Sequence, residues 1–129
     1  MNSIQKITNL ENLHWAWQKA KFFYKPGDTW FNEVEVLKFE ANLNNELNKI
    51  KEQIENNNYE MSPIRPIAFP KSKDKDNDKP RTRQTFYISV RDQVTWLAVT
   101  NIIGPILDYK MPFWSYGNRL FISVFYEEN

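Results

Sequence analysis

The chain has 129 residues, of which 41% are hydrophobic and 16% aromatic, and a formal net charge of +1 at pH 7. That length fits one domain with a core of its own. With no cysteine and a single histidine, His14, a disulfide scaffold, a thiolate metal site and a histidine-rich zinc site are excluded, and the near-neutral charge leaves nucleic-acid binding to be decided by how the charges are distributed.

The N-terminal stretch MNSIQKITNLEN lacks the apolar core of a signal peptide, and no apolar run approaches the length of a membrane span. A cytoplasmic protein without membrane contact is expected. Leu10 to Tyr24 reads as a first helix, with Leu10, Leu13, Trp17 and Ala20 on one face. Lys25 to Asp28, KPGD, ends it. A longer helix is predicted over Phe31 to Glu55. Its stripe of Val36, Phe39, Leu43, Leu47, Ile50 and Ile54 reads as core packing, and the asparagines 56–58 stop it.

The period then changes. SPIRPIAFPK, Ser62 to Lys71, is apolar and punctuated by proline, and reads as an edge strand because proline cannot donate to a ladder. RQTFYISV, Arg83 to Val90, alternates and is rich in β-branched and aromatic residues, as a strand should be. A charged hairpin loop joins the two. From Asp92 to Asp108 the pattern is helical again, with Val94, Leu97, Ala98, Ile102 and Ile106 as its apolar side. Pro105 is expected to kink or end this helix, and Asp92 to cap it. Arg119 to Asn129 reads as a terminal strand that needs a partner. The whole is a single α+β domain, 1–129: a helical part over 1–57, then a small antiparallel hairpin, a helix and a last strand over 58–129.

Few residues suit catalysis. His14 lies on a helix beside Trp15, far in sequence from most serines. Asp74, Asp76 and Asp78 alternate like a calcium loop but lack its glycine and closing glutamate. There is no glycine-rich phosphate loop. Basic groups are better placed: Arg65, Lys71, Lys73, Lys75, Lys79, Arg81 and Arg83 gather around the hairpin. Such a cluster can hold phosphates, or it can simply be solvated. Lys71 and Arg83 stand at strand ends, on rigid supports. Arg91 suits a phosphate or an acid equally. Trp114 and Tyr116 suit a core or a wall for stacked bases, and Gly117 would let another backbone approach closely.

Taken together, YEMSPIRPIAFPK, YISVRDQV, IIGPILDYKM and SYGNRL resemble the N-terminal fingers region of a bacterial reverse transcriptase, of the broad kind that includes group II intron enzymes. With Asn118, the last motif is most similar to unassigned groups, several of them associated with phage defence. Ser89 and Asn118 stand where that family usually has proline and phenylalanine. The resemblance implies that Lys71 and Arg83 contact the triphosphate of an incoming nucleotide, with Arg81 competing for the role of Arg83. Arg65, Lys73, Lys75 and Lys79 would be its neighbours or those of the template, and Ser115, Tyr116, Gly117 and Arg119 would line the template track.

The Tyr-x-Asp-Asp motif that holds the metals of such enzymes is absent. The resemblance therefore implies a chain truncated before the palm, inactive alone, with no catalytic or metal-holding residue of its own. Magnesium is expected only in a complete polymerase. Implied partners are an RNA or DNA template and primer, a nucleoside triphosphate, and a palm domain or palm-bearing subunit. The alternatives are a non-catalytic nucleic-acid-binding module and a protein-interaction module.

Overall fold

A computed structural model describes residues 1–27, 32–71 and 81–115, with the backbone alone at 69–71. It is α+β. The elements are α1 (Ser3–Ile7), α2 (Leu10–Phe23), α3 (Glu33–Ala41), α4 (Leu43–Glu55), β1 (Arg65–Lys71), β2 (Arg81–Tyr87) and α5 (Val90–Lys110). The predicted terminal strand, Arg119 to Asn129, lies outside the described residues.

Helix α5 is the axis against which the other four helices pack. Its inner stripe is Val90, Val94 and Ala98, all fully buried. Small residues on both sides, Ala16 and Ala20 on α2 and Ala98 on α5, bring the backbones close enough for Asn12 to reach across. The Asn12 side-chain amide donates to the carbonyls of Ile7 (3.0 Å) and Ala98 (3.1 Å), and accepts from Asn101 (3.1 Å). Trp17 fills the centre of the helical core, its ring 5.1 Å from that of Phe39. Truncating such a side chain typically costs about 3–5 kcal/mol.

The stripe predicted over 31–55 does line this core: Val36, Phe39, Leu47 and Ile50 are buried, and Leu43 and Ile54 pack against them. The single helix expected there is broken, however. Asn42 leaves helical geometry (φ −122°, ψ 31°), and its N–H turns back to the Phe39 carbonyl at 3.3 Å. The surrounding run ANLNNELN explains why, since short polar asparagine side chains compete with the helix for backbone partners. The step from Phe39 to Leu43 survives the break, so the stripe stays continuous in space. Helix α1, which we did not expect, is held by a capping box between Asn2 and Gln5.

Pro105 does not end α5, which runs on to Lys110. The proline still lacks an N–H for the Asn101 carbonyl. One of its steric conflicts, that of the ring with the Cβ of the preceding residue, is absent because that residue is Gly104. Two expected core positions are exposed: Leu10 at the start of α2 (37%) and Ile106 (54%).

Strands β1 and β2 form a two-stranded antiparallel ribbon, with Arg65 opposite Tyr87, Phe69 opposite Arg83 and Lys71 opposite Arg81. Pro66 and Pro70 share one parity, so both missing N–H groups fall at the same kind of ladder site, as an edge strand tolerates. The second strand begins two residues earlier than predicted and stops at Tyr87; Val90, read as its end, is the first residue of α5.

Candidate nucleic-acid interface

Side chains alternate between the two faces of a strand. The register therefore sorts the ribbon by parity. Arg65, Ile67, Phe69 and Lys71 share a face with Arg81, Arg83, Thr85 and Tyr87. The opposite face holds Pro66, Ala68 and Pro70 with Thr82, Gln84 and Phe86, and carries no charge. All four basic positions of the two strands thus fall on one side. Arg81 and Arg83 are exposed near the tip, one pleat repeat, roughly 7 Å, apart. Lys71 pairs directly with Arg81 in the ladder. Arg81 and Arg83, competitors for one role in the sequence, are neighbours on one surface. Lys73, Lys75 and Lys79 lie outside the described residues, as do Tyr116, Gly117 and Arg119.

At the other end the same face is used differently. Tyr87 is the one buried ribbon residue among those described (6% exposed). Its hydroxyl donates to Glu35 on α3, and its ring carries the Arg65 guanidinium 4.6 Å above its centre. Burial, reinforced by the bond to Glu35, pushes the Tyr87 phenol well above its ordinary pKa. Arg65 is therefore a basic group stacked at the root of the ribbon, facing an open cleft of about 450 Å³ that also borders Glu33 and Val34.

Four consecutive residues at the start of α5 hold both roots of the ribbon. The Val90 N–H donates to Glu35 Oε1 at 2.7 Å. Arg91 donates to Gln53 (2.7 Å) and to the Glu60 carbonyl, and its guanidinium lies 4.5 Å over the Tyr59 ring. Asp92 accepts from the Tyr59 hydroxyl (2.5 Å), the Ser89 hydroxyl (2.7 Å) and the Ser62 N–H (2.9 Å). Gln93 accepts from the Tyr24 hydroxyl (2.6 Å) and donates to the Ile88 carbonyl (2.6 Å). The segment entering β1 and the segment leaving β2 are thus both tied to one helical turn.

This corrects one expectation. Ser89, not Asp92, is the N-cap of α5: its side chain accepts from the Asp92 N–H at 3.3 Å. Asp92 is three positions into the helix, almost fully buried (1% exposed), and exchanges hydrogen bonds with the Ser89 hydroxyl. Burial opposes its ionisation, yet the hydrogen bonds from Tyr59, Ser89 and Ser62, with Arg91 nearby, hold its pKa below the usual carboxylate value. Arg91, open between phosphate and acid in the sequence, has its guanidinium in this internal network, 3.7 Å from Asp92.

Beyond α5 the chain turns, the Ser115 N–H donating to the Pro112 carbonyl at 3.0 Å. Phe113 and Trp114 stack edge to face there and are exposed, so Trp114 belongs to a surface and not to the core. Sequence reasoning missed Glu35 and Tyr59. Both lie on stretches whose pattern speaks only of a helix surface or a loop, and their partners are 52 and 33 residues away.

Among the described residues, no three or more His, Cys, Asp or Glu side chains converge to hold a metal ion, and no helix is long and apolar enough to cross a membrane. What the arrangement offers chemically is cationic hydrogen-bond donors on a paired backbone, suited to phosphate oxygens. No protein-family model and no curated protein matches the chain.

Proposed function

We propose that this chain is the N-terminal fingers portion of a bacterial reverse transcriptase, positioning template and incoming nucleotide, in an enzyme with a role in phage defence. The observation that carries the reading is the sorting of charge on the ribbon: Arg65, Arg81 and Arg83 share one face and, among the described side chains of the two strands, no charge lies on the other. A hairpin that was merely solvated gains nothing from such sorting. A hairpin that covers a polyanion does, since donors on a fixed backbone meet phosphate charge without reorganising. The motif YISVRDQV fits the same reading, because its residues root the ribbon rather than touch a ligand.

The test is kinetic. In a complete enzyme, removing the charge at Lys71 or Arg83 should raise the nucleotide KM or lower kcat, and unchanged constants would refute the assignment. This chain alone should bind single-stranded or hybrid nucleic acid with an affinity that falls as salt rises.

A second reading, a protein-interaction module, is favoured by one observation. Helix α5 is apolar on its outer side too: Trp96, Ile103 and Leu107 are exposed, and no charge occurs from Val94 to Leu107. A helix apolar all round is ordinarily buried all round. Sedimentation velocity of the isolated chain tests the self-association this second reading predicts, and a monomer at high concentration would count against it.

A further inference from the structure

The geometry points to Glu35 as a clasp that fixes the direction of the ribbon relative to the helical body. Among the described ribbon residues only Tyr87 is buried, so the ribbon has little apolar surface with which to dock. Its outgoing strand is instead tied by a side-chain bond: the Tyr87 hydroxyl to one oxygen of Glu35. The other oxygen of the same carboxylate receives the Val90 N–H at 2.7 Å, a donor that the first turn of α5 cannot satisfy internally. One carboxylate therefore joins α3, the ribbon and the start of α5. The bond closest to the ribbon is also the one that can be removed with least harm to the core, because Glu35 and Tyr87 meet at its edge.

Opening the clasp leaves the ties to Arg91, Asp92 and Gln93 at the roots but lets the ribbon swing more widely about them while the body stays folded. The charged face then spends less time in the direction that serves a bound phosphate chain. The apparent affinity falls by the fraction of molecules still competent, so a fall to about one third gives roughly threefold weaker binding. This binding consequence rests on the phosphate-holding reading of the face; the positional one does not.

The chain has no cysteine, so spin labels at Thr82→Cys on the ribbon and Asn45→Cys on α4 are unique. The label-to-label distance distribution and the Kd for a labelled oligothymidylate are measured for the parent, Tyr87→Phe, Glu35→Ala, their double variant, and Glu52→Ala as a charge control. Tyr87→Phe keeps the ring, its stacking with Arg65 and the Val90 bond, and so keeps the fold. We expect broader distances and about threefold weaker binding in Tyr87→Phe and Glu35→Ala, a double variant no worse than Glu35→Ala, and a parent-like Glu52→Ala. Parent-like distances in both single variants would overturn the clasp. Broadened distances with an oligothymidylate that no protein binds would leave the clasp standing and refute the phosphate reading.

Discussion

The Tyr59 hydroxyl donates to Asp92 Oδ1 at 2.5 Å, joining the segment that enters the ribbon to the first turn of α5. Asp92 also receives the Ser62 N–H and the Ser89 hydroxyl, so its carboxylate is a hub between chain segments as much as part of a helix start. Asp92→Ala should therefore cost about 3 kcal/mol, since three donors lose their acceptor in a buried place. Asp92→Asn should cost roughly half of that, because one carbonyl oxygen remains. Urea unfolding midpoints measure both.

The same carboxylate sets an acid limit. Its pKa is lowered on folding, so as pH falls the unfolded chain takes up the proton first. The stability Asp92 contributes is complete above its ordinary value of about 4 and is lost as pH drops through the folded value. Asp92→Asn should flatten the fall in stability below about pH 4 relative to the parent, as read from unfolding midpoints across that range.

Tyrosines set an alkaline limit. Burial raises Tyr24, with the Glu35 charge adding to it, and raises Tyr87; burial and the bond to Asp92 push Tyr59 up to about 12. The folded chain keeps these protons above the ordinary value of about 10, where the unfolded chain has lost them. Their contribution is whole below that value and erodes as pH rises toward the folded ones. Ultraviolet titration near pH 10.5 should show Tyr24, Tyr59 and Tyr87 still protonated in the folded chain and largely ionised once it is denatured.

Gly104 and Pro105 should show a reversal of sign. With Pro105 present, Gly104→Ala puts a Cβ against the proline ring within a helix and should destabilise. In a Pro105→Ala background the same change should stabilise by up to about 1 kcal/mol, the ordinary gain of alanine over glycine in a helix. Thermal unfolding of the four proteins closes this cycle.

The ribbon's sorted charge predicts that position matters beyond net charge. Arg83→Gln combined with Gln84→Arg leaves the charge unchanged but moves one cation to the opposite face. We expect the double variant to bind oligothymidylate as weakly as Arg83→Gln alone, with a salt slope lower by about one ion in both. Restored affinity in the double variant would mean that the ribbon attracts polyanions by net charge only.

Periodicity along the chain determined the helices that line the core, because which face of a helix is apolar is a local property: Leu13, Trp17, Val36, Phe39, Leu47 and Ile50 are buried as their spacing requires. The two strands and their basic flank were legible for the same reason. Tertiary structure alone decided which of those charges act together, because strand register depends on pairing between segments and a shift of one residue would exchange the faces. It alone turned Asp92 from a cap into a hub and drew Glu35 to Tyr87, since a carboxylate's partner is whatever donor chain closure brings near. The break at Asn42 and the passage of α5 through Pro105 are local in origin, resting on the asparagine-rich run 41–48 and on the glycine that precedes the proline.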